Sequence, residues 1–227
     1  TGTITVTKDP NLPGGTDFSF WKVDFLTKWG SYGTGNGQFS GIVDLTVDGS
    51  GNVYVLESSI NAGIYRVQKF SSAGAYITKW GTQGSGPGQF NSANGIAVDA
   101  AGNVYVADTW NHRIQKFDGA GTFLAQWGTQ GSGDGQFQYP MDVALDGTGN
   151  IYVVDANDYR IQKFDSAGAF ITQWGGTQGT GNGQFDGLAS IAVDGTGNVY
   201  VSETWNNHRI QKFDSAGRSE ERRVGTE

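Results

Sequence analysis

FNSANGIAVDAAGNVYVADTWNHRIQKFDGAGTFLAQWG, residues 90–128, is a pattern that the chain repeats from near its start almost to its end. Trp-Gly marks the copies at Trp29, Trp80, Trp127 and Trp174, in steps of 51, 47 and 47 residues. Gln-Phe keeps step at Phe39, Phe90, Phe137 and Phe185, and Gln-Lys-Phe at Phe70, Phe117, Phe164 and Phe213. Gly-Asn-(Val/Ile)-Tyr-Val does the same at Asn52, Asn103, Asn150 and Asn198. A period in this range belongs to stacked supersecondary units, none of which can bury its apolar face alone.

Within the quoted unit the alternation predicts four short strands, at 96–98, 104–106, 113–117 and 123–127. Asp99–Asn103 and Asp118–Gly121 separate them, with glycine and asparagine where tight hairpins demand positive φ. No helical periodicity interrupts the pattern. The expected fold is all-β, a β-propeller of four-stranded blades with four blades in this chain.

The strings VADTWNHRIQKF (106–117) and VSETWNNHRIQKF (201–213), preceded by GIAVD and followed by FLAQWG, resemble NHL repeats. The resemblance covers residues 23–217 in four consecutive copies. It departs most in the first, where Glu57–Arg66 carries extra residues. It implies a propeller that binds a protein or peptide. Some of its relatives are metal-assisted lyases that hold zinc with three histidines, whereas this chain has two histidines.

Val23–Gly30 aligns with the fourth strand of a blade although no first three strands precede it, and the fourth copy stops after its third strand. If the strand at Phe25–Trp29 lies beside Arg209–Phe213, the last blade is completed and four blades close as a monomeric ring. The alternative is a window on a longer propeller or an oligomer. Residues 1–22, with an alternating strand and a Pro/Gly turn, read as a strand or linker segment resembling the start of β-sandwich modules in bacterial surface proteins; this suggests an extracellular or cell-surface protein. Residues 218–227 break the repeat and read as a disordered or adventitious tail.

Glycine is abundant, 37 of 227 residues, and aromatics make up 13%, a pairing that suits many tight turns between ring-packed sheets. With a net charge of −7, the field of the chain opposes phosphate backbones and acidic membranes, so neither nucleic acid nor membrane is an expected partner. There is no cysteine, and hence no disulfide or thiolate chemistry.

Comparing the copies separates scaffold from site. Arg66/113/160/209, Lys69/116/163/212 and the acids Glu57, Asp108, Asp155 and Glu203 occur in every copy and read as structural, with the arginines and acids paired. Residues that vary between copies are candidates for a binding site. These are Trp110, Asn111 and His112 in the second copy, Trp205, Asn206 and His208 in the fourth, and Asp44, Asn94, Asp142 and Ser190 at the start of each first strand. The histidines stand where the first and third copies have Tyr65 and Tyr159, which points to packing. The glycine loops lack the helix that a phosphate cradle needs. The Asp-x-x-Gly-Asn turns lack the closing glutamate of an EF-hand, and no nucleophile elbow is present. No catalytic residue, metal or cofactor is therefore expected. The expected function is a non-enzymatic binding scaffold, with a metal-assisted lyase or hydrolase, or a structural module of a bacterial surface protein, as alternatives.

Overall fold

The hairpin between the first and second strands of each blade is set by a short-range carboxylate. Asp99 Oδ1 accepts the amides of Ala101 and Asn103 at 3.0 and 2.8 Å, and its Oδ2 accepts Asn103 Nδ2 at 2.8 Å and the Tyr105 hydroxyl at 3.0 Å. Gly102, at φ +83°, lets the chain reverse inside that ring of donors. Asp48, Asp146 and Asp194 build the same turn. Their oxygens are therefore taken up by the turn itself. Asp118 and Asp165 cap the outer hairpins in the same way, through amides two and four residues on.

The computed structural model describes residues 26–204 and 206–219. Blade 1 comprises β1 (Ile42–Val47), β2 (Val53–Ser59), β3 (Ile64–Phe70) and β4 (Tyr76–Trp80). Blade 2 comprises β5 (Gly95–Val98), β6 (Val104–Asp108), β7 (Arg113–Phe117) and β8 (Phe123–Trp127). Blade 3 comprises β9 (Pro140–Leu145), β10 (Ile151–Asp155), β11 (Arg160–Phe164) and β12 (Phe170–Gly175). Blade 4 has β13 (Leu188–Val193), β14 (Val199–Glu203) and β15 (Arg209–Phe213). Every blade is an antiparallel meander in chain order, and together they form the β-propeller expected from the repeat.

The core lies between blades. The outgoing face of blade 1 (Tyr54, Leu56, Val67) packs on the incoming face of blade 2 (Phe90, Ile96, Val104, Val106, Phe117). Blades 2 and 3, and 3 and 4, repeat that junction with equivalent residues. A tryptophan at the end of each fourth strand rivets the next blade: Trp127 stacks obliquely on Phe164, with ring centroids 6.1 Å apart, and lies over Gly168. A Cβ on Gly168 would sit 2.8 Å from the indole, so the position requires glycine for contact as well as for its φ of +87°. The repeated lysines add a polar tie. Lys69, Lys116 and Lys163 lie over the tyrosine rings of their own blades and donate to carbonyls of the next blade's outer turn.

The inner strands follow one another around the axis, β1 on β5, β5 on β9 and β9 on β13, and among the described residues no packing of that extent joins β13 to β1. The pairing expected between Phe25–Trp29 and β15 is not seen. Phe25 lies outside the described residues, Leu26–Gly30 belong to no sheet, and blade 4 has three strands among the described residues. The reason is visible in Trp29. It packs on Phe70 and Gly74 of blade 1, as a preceding blade's tryptophan does, which holds this segment against blade 1. Trp205 and the segments 1–22 and 220–227 also lie outside the described residues.

The turn carboxylates make the fold acid-sensitive. Partial burial raises the Asp146 pKa, but hydrogen bonds from Thr148 and Asn150 outweigh it and hold the group down at about 2. Because the folded value is depressed, its stabilisation is complete above the unfolded value of about 3.9 and is lost as pH falls toward 2. Thermal melts between pH 5 and pH 2 should therefore show a smaller acid-induced drop for Asp146→Asn than for the parent, from a lower starting point.

Candidate functional site

The glycine loops between blades are held by a buried charge network. Arg113 Nε donates to Asp108 Oδ2 at 2.8 Å, and its two Nη atoms donate to the carbonyls of Ser85, Gly86 and Gln89 at 2.8–2.9 Å. Gln115 Nε2 donates to the Gln89 carbonyl and to Asp108, and Asp108 Oδ1 accepts the Asn91 amide at 2.7 Å. Arg66–Glu57, Arg160–Asp155 and Arg209–Glu203 repeat the pair at 2.7, 3.1 and 2.7 Å. The sets common to all copies thus pair within blades, and the loops at one end of the propeller become rigid supports.

On these supports sits the loop joining the second and third strands. In blade 2 it is one 3₁₀ turn, Thr109–Asn111, closed by His112 in the left-handed region at φ 53°. Tyr159 and His208 hold the same conformation at 52° and 43°. His112 Nδ1 donates to the Gln138 carbonyl of blade 3 at 2.8 Å, a bond that ties one blade to the next. His208, in the last of the described blades, is exposed. Tyr65 does not share this role. In blade 1 the hairpin continues to Ser59 and Ile64, Gly63 takes the positive φ, and Tyr65 is a buried strand residue. Asn111 donates to the Gly84 carbonyl and to Asp108. In blade 4 Asn207 makes those bonds, to Gly179 and Glu203, while Asn206 instead reaches Asp186 at 2.7 Å. The extra residue in that loop shifts the equivalence by one. Trp110 remains 56% exposed, its indole N–H directed at the Tyr139 hydroxyl of blade 3 at 3.3 Å.

At the inner strands the ladder places Asp44, Gly95, Asp142 and Ser190 in equivalent positions, opposite Leu56, Ala107, Val154 and Ser202. Asn94 is therefore one residue early in the register. Only glycine fits at 95, where a Cβ would lie 2.7 Å from the Cα of Asp142. Asp44 Oδ2 accepts the Ile96 amide of blade 2 at 2.8 Å. Asp142 Oδ2 accepts the Ile191 amide and the Ser190 hydroxyl of blade 4 at 2.9 and 2.7 Å. Asn94 Nδ2 donates to Thr109 Oγ1, and Thr109 donates to the Pro140 carbonyl.

These residues converge. Val43, Asp44, Asn94, Met141, Asp142, Ala189 and Ser190 line a cleft of about 290 Å³ where the inner strands of the blades meet. Burial, helped by repulsion from Asp44, raises the Asp142 carboxyl to about 6 against its hydrogen bonds; burial raises Asp44 as well. Among the described residues no three histidine, aspartate or glutamate side chains are grouped to hold a metal ion. Val43, Met141 and Ala189 of the cleft, and Tyr139 beside Trp110, are not among the positions that the comparison of copies picks out. Yet the stretch that follows Gln-Phe, SGIV, NSAN, QYPM and DGLA, varies between copies and contains all four of them.

The NHL repeat model matches residues 90–117, 137–164 and 185–213. NHL repeat-containing protein 3 of Mus musculus is 34% identical over 92 residues, 39% of this chain and 26% of the relative, so the chain spans about a quarter of that protein. Among solved structures, the nidogen/laminin complex matches with a TM-score of 0.52 and 19% identity over 76% of this chain and 59% of that one. Virginiamycin B lyase from Staphylococcus aureus, with quinupristin, matches with a TM-score of 0.54 and 14% identity over 80% and 57%. At such identities the likeness is one of fold.

Proposed function

We propose, from the premise that this chain is an NHL-repeat β-propeller, that it is a binding scaffold whose loop face takes a protein or peptide segment bearing a basic side chain. The observation that carries the reading is the cleft lined by Asp44 and Asp142, with Trp110 exposed on the loop that hydrogen-bonds Asn94 at its edge. A low-lying pair of carboxylates attracts a cation, and an exposed aromatic on a rigid loop supplies contact area at small entropic cost. Asn94 and Ser190 offer polar contacts in the cleft, and Val43, Met141 and Ala189 offer apolar ones.

The test is a panel of short peptides that differ only in one residue, lysine, arginine, norleucine or glutamate, titrated against the protein by calorimetry. Basic peptides should bind and the others should not. Trp110→Ala should weaken the interaction about tenfold or more, the loss of a contact worth roughly 1.4 kcal/mol or above, with an unchanged melting curve. Because Asp142 is neutral below about 6 and charged above it, affinity should rise as pH goes from 5 to 7. Equal binding of norleucine and lysine peptides, or a flat pH profile, would sink the reading. The likeness to a lyase gives the second reading. Divalent metal that survives dialysis at one equivalent per chain would favour it.

A further inference from the structure

We propose that the cleft selects a lysine ammonium over an arginine guanidinium; the proposal rests on the basic-ligand reading above and concerns which cation fits. The inner strands bring their residues to the cleft in pairs. Register shifts lie between Ile42 and Asp44 in β1, Pro140 and Asp142 in β9, and Leu188 and Ser190 in β13. Each shift leaves one residue, Val43, Met141 or Ala189, without a partner on the neighbouring strand. That residue and the one after it then both line the cleft, which strict alternation would forbid. Blade 2 contributes Asn94, one residue before the ladder position of Gly95.

The polar side chains gathered there have only acceptors left to offer. Both hydrogens of Asn94 Nδ2 are taken, by the Ser92 carbonyl at 3.0 Å and by Thr109 Oγ1 at 2.8 Å. Thr109 in turn donates to the Pro140 carbonyl at 2.8 Å, so it accepts from Asn94 and fixes which way that amide faces. What Asn94 can give a ligand is therefore Oδ1. The Ser190 hydroxyl donates to Asp142 Oδ2 at 2.7 Å, which leaves its oxygen as an acceptor. Asp44 and Asp142, when ionised, accept only. A ligand group that brings acceptors, such as a carboxylate, meets no free side-chain donor among these residues.

The room left on each carboxylate decides between the two basic side chains. Asp142 Oδ1 accepts the Val143 amide at 2.8 Å, and its Oδ2 accepts both the Ile191 amide and the Ser190 hydroxyl. With two lone pairs on each oxygen, Oδ2 is full and Oδ1 has one site. A guanidinium fork needs both oxygens of one carboxylate, so Asp142 has no place for it. Asp44 does have one, since each of its oxygens accepts a single amide, of Leu45 and of Ile96, both at 2.8 Å. A fork laid on Asp44, however, leaves Asp142 without a charge-assisted bond from the ligand. An ammonium carries three donors on one nitrogen and gives them singly, to Asp44, to Asp142 Oδ1 and to the oxygen of Asn94 or Ser190. Its methylene stem suits the apolar Val43, Met141 and Ala189.

Calorimetric titration at neutral pH with N-acetylated peptides that differ only in one residue, lysine, arginine, Nε-trimethyl-lysine or norleucine, tests this. The lysine peptide should bind about tenfold or more tighter than the arginine peptide, the worth of one charge-assisted hydrogen bond. Trimethyl-lysine keeps the charge and has no N–H to donate, so it should fall to the level of arginine or below. Ser190→Ala, at an exposed position, frees a lone pair on Asp142 Oδ2 and should bring the lysine-to-arginine ratio toward one with an unchanged melting curve. Arginine binding as tightly as lysine, trimethyl-lysine matching lysine, or a ratio that Ser190→Ala does not move would overturn the inference and leave the basic-ligand reading standing. Failure of every cationic peptide to bind would overturn both.

Discussion

Replacing Arg113 with alanine is expected to lower stability by roughly 3–5 kcal/mol, the range for removing one partner of a buried ion pair. The guanidinium is the hub of blade 2. It satisfies Asp108, whose side chain is fully buried, and it holds the carbonyls of Ser85, Gly86 and Gln89 and the amide oxygen of Gln126. Alanine would leave a buried carboxylate without its cation and would free the loop that supports blade 2 from outside. Asp108→Asn should be milder, since the amide keeps an acceptor for Asn91 and loses the charge, and Arg113→Ala/Asp108→Asn together should recover part of the loss. Urea titrations of the three variants measure this cycle. Simple additivity would mean that the pair is not coupled and that the arginine acts through its backbone contacts alone.

Trp127→Ala is expected to cost a similar amount, about 3–5 kcal/mol, by opening a void between blades 2 and 3. The indole touches Phe164 and Tyr105 and covers Gly168, and its buried N–H has no hydrogen-bond partner, so the loss is one of packing with no polar compensation. Trp29→Ala gives the internal control. Its ring makes the same contact with Phe70 and Gly74, but it is 36% exposed and belongs to no sheet among the described residues, and its loss should be markedly smaller. Differential scanning calorimetry should also show the parent's single transition broadening or splitting in Trp127→Ala. In a stacked array each blade is stabilised chiefly by its neighbours, and a weakened middle junction divides the array in two. Equal effects at Trp29 and Trp127 would contradict that account.

The acid–arginine pairs and the hairpin turns were legible because each is local or repeats. Asp99 reaches amides two and four residues on, and Arg113 lies five residues from Asp108, so every copy spells the same bonds. Positions 94 and 95 were not. Ser-Ala-Asn-Gly contains no alternation from which a register could be read, and the ladder opposite Ala107 decides that Gly95, not Asn94, faces Asp142. The extra asparagine in Trp205–His208 hid the equivalence of Asn111 with Asn207 for a like reason: two neighbouring residues of one type differ only in which backbone carbonyl they can reach.

The sequence by itself determined the period, the meander of each blade, the turn chemistry and the division between scaffold sets and variable positions. All of these depend on interactions within about one repeat, and repetition shows them four times. Tertiary structure alone decided what passes between blades: that Asp44 and Asp142 share one cleft, where Asp44 helps burial to raise the Asp142 pKa, that Met141 joins them, and that His112 bonds the next blade. Those contacts cross from one repeat to another, between side chains that have no pattern in common. Their geometry follows from how each blade rotates against the last, a rotation set by the packing of Trp80, Trp127 and Trp174 on the glycines beneath them.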